Sequence, residues 1–331
     1  MHQLDQWDSP ILASTLPVIE GARNVSLDVA AIGHVAGWMA YEEFGLPDGS
    51  FVFDFGHDPD VLVDLVMFES ALNFAFTDFS TSVKFETDYL DGHYVDTEAM
   101  IAGVHRAWSV GEPILSGPWM AACTRTDLSR VLQGSIEIPM LDERVAILNE
   151  VGATLVDRFD GSFHAWAATC ERAMWADGNG LLERLLADFP RFEDSSTHDG
   201  RRVEFYKLAQ LSLWMLHAVW ARIGEPGIRD LERMTAFADY IVPVALRLLG
   251  ITRYSPDLEA RINAGELIER DSPDEIEIRA HTVVGTALLA SACNELRPRD
   301  RQLVIPQIDF RLWKSYHATF WPHHLTRTTM Y

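Results

Sequence analysis

The sequence predicts a mostly α-helical fold with at most a small β-hairpin or sheet. Three observations carry this: apolar residues recur at helical spacing along most of the chain, one long segment is apolar on every side, and strand signals are few. In chain order, amphipathic stripes run over about 27–44, 61–74 and 100–110. Within this region 51–55 (FVFDF) and 82–85 (SVKF) alternate, which predicts a short ribbon. After Pro139, the residues Leu141, Val145, Leu148, Val151 and Leu155 form one apolar stripe. The segment 203–223 is apolar around its whole axis, as expected of a central buried helix, and a further helical pattern runs over 276–289. Turn clusters at 46–50, 177–180, 195–200 and 224–227 punctuate the helices, and none is long enough for an interdomain linker. There is no internal repeat, low-complexity tract or block of like charge, so residues 1–331 read as a single compact domain.

The chain is 48% hydrophobic and 23% charged, the composition of an ordinary globular protein. Its formal net charge of −22 argues against a nucleic-acid polymer as partner, because polyphosphates are held by rows of Lys and Arg. A small anion remains compatible, since a few cations in a cleft outweigh a distant, screened surface. The start, MHQLDQWDSP, lacks the basic and apolar regions of a secretory signal. The longest apolar stretch, 283–293, is about half of the ~20 residues a membrane span needs and reads as a buried helix. Cys123, Cys170 and Cys293 are odd in number and far apart, which fits a reducing cytoplasm.

Common catalytic motifs are missing: HExxH, a zinc-spaced Cys and His cluster, a P-loop, GxGxxG after a strand and a GxSxG elbow. No metal or cofactor is therefore expected. Within the buried helix, Lys207 stands out, because lysine is rarely buried without a partner. It either snorkels to water from the helix start or serves a site. Pro243 places another helix start close behind Asp239, where free N–H groups favour an anion. Asp239 is then either a cap or a fixed charge facing a developing cation. The ending, 320–331, concentrates aromatic, imidazole and guanidinium groups and reads as a docked tail in which Arg327 and His324 could hold a phosphate.

Several segments, in order along nearly the whole chain, resemble the queuosine salvage family: ALNFAF (71–76), IPMLDERVAILNEVGATLVDRFDGSF (138–163), GRRVEFYKLAQL (200–211), FADYIVPVALRLLGITRYSPDL (237–258), EIEIRA (275–280), IDFRLW (308–313) and HHLTRTTMY (323–331). Two positions depart: Thr77 stands where the family has an aromatic, and Ser70 where an acid is expected. The resemblance implies an all-α enzyme, distantly similar to helix-hairpin-helix DNA glycosylases, that hydrolyses the N-glycosidic bond of queuosine 5′-monophosphate and releases queuine for reinsertion into tRNA. Asp239, Val242, Leu249 and Gly250 also follow the D-x-x-V-(x)6-L-G spacing of the segment that carries the catalytic aspartate in those DNA enzymes.

On this resemblance Asp239 stabilises an oxocarbenium-like ribose and orients or deprotonates water, while Lys207 holds the substrate or tunes Asp239. Phe237, Asp309 and Trp313, with Asn73 and Phe74 behind them, are candidates for the base. Arg327 and His324 are candidates for the phosphate, with Arg279 a further one that could instead pair with Glu275 on a helix surface. Two other readings stay open: a base glycosylase acting on DNA or RNA, and a noncatalytic queuine or nucleotide carrier.

Overall fold

The computed structural model describes residues 4–47, 52–317, 319 and 321–331. Positions 48–50 of the first turn cluster, Phe51 of the expected ribbon and Phe320 of the tail lie outside the described residues. Among the described residues the chain forms fourteen α-helices and six short strands, and none of the helices is long and apolar enough to cross a membrane.

Local sequence explains where many helices begin. Four of them start on Ser or Asp followed directly by Pro: α1 (Pro10–Gly21), α3 (Pro59–Leu72), α12 (Pro256–Asn263) and α13 (Pro273–Leu296). The side-chain oxygen takes a free N–H, and proline fills a place where its missing N–H costs nothing. The expected stripes correspond to α2 (Val29–Met39), α3, α4 (Thr97–Ser109), α7 (Leu141–Arg158) and α13. Short helices α5 (Gly117–Ala122), α6 (Arg125–Val131), α8 (Phe163–Ala168) and α9 (Leu181–Asp188) fill the middle. They are followed by α10 (Lys207–Arg222), α11 (Val242–Leu248) and α14 (Ile305–Tyr316).

The strands differ from the expectation. Residues 52–55 form no strand, and 82–85 contribute only an isolated bridge between Lys84 and Thr77. The hairpin forms just beyond, pairing β2 (Glu86–Tyr89) with β3 (Gly92–Val95). Phe53 and Phe55 bury themselves instead: Phe53 packs on Tyr89 and Tyr94, and Phe55 on Trp108. Their alternation reports side-chain burial without a partner edge. A second hairpin joins β4 (Ser195–His198) and β5 (Arg201–Glu204) through Asp199-Gly200, both at positive φ as a tight hairpin turn requires. A third pair, β1 (Val25–Leu27) with β6 (Thr252–Tyr254), is distant in sequence and had no local signal.

Two large apolar clusters result. One gathers α3, α4, α7, α8, α9 and α10; the other gathers α1, α2, α11, α13 and α14. The extended segment before α11 is the seam: Phe237 belongs to the first cluster, while Ala236 and Ala238 belong to the second. Alternation along extended backbone therefore sends neighbouring side chains into different cores.

Helices α5 and α7 touch at Gly152, where a Cβ would overlap the backbone N of Ala121 and approach the Gly117 carbonyl at 2.7 Å. Replacing helical glycine by alanine gains about 1 kcal/mol, whereas forcing backbones apart costs about 1–3 kcal/mol. The overlap involves backbone and cannot be relieved by a rotamer change. Gly152→Ala is expected to lower the melting temperature, measured by differential scanning fluorimetry.

Candidate active site

A cavity of about 670 Å³ opens between the two clusters. Seven of the ten residues singled out in the sequence line it: Asn73, Phe74, Lys207, Phe237, Asp239, Asp309 and Trp313.

Asp239 precedes α11 as the proline predicted. Its Oδ1 accepts the N–H groups of Ile241 at 2.8 Å and Val242 at 2.9 Å. Its other oxygen is bonded to no protein group among the described residues and is directed at the cavity. Capping and charge placement are thus one arrangement. Burial raises the Asp239 pKa, while Lys207 and the two N–H groups pull it back. Asp309 accepts the Phe237 N–H at 2.9 Å, and burial plus the neighbouring Asp239 charge push its pKa well up.

Lys207 is the first residue of α10, yet its side chain is only 5% exposed. It does not snorkel to bulk water. Burial lowers its pKa, opposed by Asp239, Asp309 and Asp194 in that order. Asp194 also caps α10: its Oδ2 accepts the Lys207 N–H at 3.0 Å, and its backbone carbonyl accepts the Phe205 and Tyr206 N–H groups. Tyr206, at φ 48°, makes no side-chain cap, so this distant aspartate substitutes.

Arg279 joins these parts. Its guanidinium donates to both Asp194 oxygens, at 2.9 and 2.6 Å, and to the Ala238 carbonyl at 3.0 Å. It lies against the faces of Phe205 and Tyr331, and Glu275 is 3.6 Å away. The Glu275 pairing imagined on a helix surface therefore exists inside the protein, with both side chains buried. Glu275 in turn accepts the Tyr331 hydroxyl at 2.8 Å.

The sequence profile of the family described as Queuosine salvage protein matches residues 54–331. A queuosine 5′-phosphate N-glycosylase/hydrolase of Sphaerobacter thermophilus is 33% identical over 324 residues, covering 97% of each chain. The protein of the same name from Bos taurus is 28% identical over 318 residues, with 89% of each chain covered. That of Schizosaccharomyces pombe is 30% identical over 263 residues, 76% of this chain and 73% of its own. This chain belongs to the queuosine salvage protein family.

In this member of the queuosine salvage family, the three residues named for phosphate do not line the cavity. Arg327 is largely exposed and pairs with Glu143 at 2.7 Å. His324 is buried, its pKa pushed down to about 3 by burial, then by His323, Arg279 and Arg247, so it offers no positive charge. Arg279 is consumed by Asp194. The tail is docked as expected: Arg191 holds the Thr329 carbonyl at 2.6 Å, and Tyr331 reaches the cavity wall. Residues missed in the sequence include Glu69, Tyr240 and Trp214 on the wall and Asp194 beneath it. Ser70, where an acid was expected, lines the cavity beside its neighbour Glu69. Helical phase over 61–74 could have paired Glu69 with Asn73, four residues on.

Removing one partner of a buried ion pair costs about 3–5 kcal/mol. Arg279→Met should therefore lower the melting temperature sharply, and Arg279→Met with Asp194→Asn should recover part of it, since the double change removes the Asp194 charge and leaves only Glu275, which keeps the Tyr331 hydroxyl, without its cation. Thermal melts of both variants decide this.

Proposed function

We propose that this chain hydrolyses the N-glycosidic bond of queuosine 5′-monophosphate, releasing queuine for reuse in tRNA. The observation that carries the reading is Asp239, with one oxygen pinned by two N–H groups and the other open to an enclosed cavity beside Lys207. The names of the relatives, N-glycosylase/hydrolase acting on queuosine 5′-phosphate, give the substrate class.

Cleavage builds positive charge on the ribose and negative charge on the departing base. The open oxygen of Asp239 stabilises the sugar cation and takes a proton from the attacking water. Lys207 keeps Asp239 ionised despite its burial. Phe237 and Trp313, with Phe74, provide flat walls for the base, and Asn73 and Asp309 meet its polar edge. The net charge of −22 supports a free nucleotide over a polymer. Three free cysteines support a cytoplasmic location, and a cavity built from both apolar clusters supports reading 1–331 as one domain.

Incubation with queuosine 5′-monophosphate, queuosine and guanosine monophosphate, followed by mass spectrometry, should yield free base chiefly from the first. Asp239→Asn keeps the shape and removes the charge; turnover should fall by about 10²–10⁴-fold. A variant retaining most of its activity overturns the assignment. Because Asp239 acts ionised and its pKa is raised, activity should also be lost on acidification at a pH above the ordinary carboxylate range. A kcat/KM profile against pH measures that limb.

A further inference from the structure

The queuosine base presents an unusual demand. It is a 7-deazapurine, with carbon where a purine carries N7, so the nitrogen ordinarily protonated to help a purine leave is missing. Asp239 serves the ribose, and a proton for the base must come from another group.

Helix α3 is apolar around most of its axis, with Leu65, Val66, Met67, Phe68, Ala71 and Leu72 all buried. Glu69 and Asn73, one turn apart, bring polar groups from it to the cavity wall. Thr97 occupies Asn73 through a 3.3 Å hydrogen bond. The Glu69 carboxyl has no hydrogen bond or ion pair among the described residues, and its oxygens are not sealed from the cavity. Other carboxylates at the core of the site have partners that Glu69 lacks: Asp239 accepts two N–H groups on one oxygen and keeps the other for the ribose, Asp309 accepts the Phe237 N–H, and Asp194 is held by Arg279. Two basic groups beside α3 are directed elsewhere: Arg144 of α7 at the Leu72, Phe74 and Ala75 carbonyls, and His164 of α8 at Asp64. Charged and titratable groups sharing the cavity from other elements are Lys207, Asp239 and Asp309, then Lys84, Glu86, His93, Asp96 and Glu98 on and around the hairpin, and His317 after α14, with the hydroxyls of Tyr240 and Tyr331.

Resting on the function proposed above, we propose that Glu69 is the general acid that protonates the departing base. The C1′–N9 bond breaks with its electron pair passing to the base. The Glu69 proton goes to N3, a ring nitrogen that remains basic when N7 is carbon, so a neutral base departs. Water adds to C1′ and gives a proton to Asp239. Proton exchange with solvent restores Glu69 and Asp239, and the net reaction consumes one water. The electrostatics agree with this division. Burial raises the Glu69 pKa to about 7, with Lys207 pulling it back, so a protonated fraction is present at neutral pH. The sign follows: a required acid loses activity as pH rises through about 7.

The test is Glu69→Gln in the full chain, assayed on two substrates. On queuosine 5′-monophosphate the variant should lose about 10²–10⁴-fold in kcat, and the alkaline limb of the pH profile should vanish. On p-nitrophenyl β-ribofuranoside 5-phosphate, whose leaving anion needs no proton, it should stay within about threefold of wild type, since the lost contribution is proton transfer. Equal loss on both substrates overturns the proposal, as does unchanged turnover or a rise in KM with the alkaline limb intact. Where the wild type leaves the aryl substrate uncleaved, the pH profile decides alone. A wild-type protein that releases no base from queuosine 5′-monophosphate, yet cleaves the aryl substrate through Asp239, sinks the substrate assignment and with it Glu69 as acid. A loss confined to Glu69→Gln leaves that assignment standing.

Discussion

The structure turns on the buried pair of Arg279 and Asp194. Arg279 comes from α13, at the heart of one apolar cluster, and Asp194 caps α10, at the heart of the other. One planar guanidinium thereby fixes the start of the helix that carries Lys207 and the segment before α11 that carries Asp239, the latter through the Ala238 carbonyl. A bidentate carboxylate contact has little rotational freedom, so it sets orientation as well as distance. Such a pair gains little net stability once desolvation is counted. Its contribution here is positional: it determines how Lys207 and Asp239 meet.

The cavity wall formed by 71–76 is held by a similar device. Arg144 and Arg191 are buried and donate to the carbonyls of Ala71, Leu72, Phe74 and Ala75, and Arg191 also reaches the tail at Thr329. Burial lowers both pKa values to about 9, with no carboxylate in direct contact among the described residues to offset it. Their flat faces lie over Phe74. An irregular backbone stretch with several unsatisfied carbonyls needs donors, and two arginines supply them where water cannot.

Much of the helical fold was legible because helical spacing and Ser-Pro or Asp-Pro starts are local signals. The hairpin was misplaced because Phe53 and Phe55 alternate for burial without a neighbouring strand to pair with. The β1 and β6 pairing joins segments more than two hundred residues apart, and nothing in either announces the other. The cavity residues were largely legible through the resemblance of their segments to one family, whereas the three residues named for phosphate do not line the cavity. Arg327 and His324 lie in a recognisable ending, but whether a side chain turns inward to a cavity, outward to Glu143 or into the core depends on packing from elsewhere.

By itself, the sequence determined that Asp239 stands at a helix start, because Pro243 allows few other backbone arrangements, and that Lys207 belongs to a buried helix, because that segment has no polar face. Only tertiary structure decided that Lys207 turns to a cavity instead of to water, that Arg279 lies inside instead of on a surface, and that Glu69 joins them. The reason is physical: caps and periodicity act within a few residues, whereas burial and charge compensation depend on what the rest of the chain brings alongside.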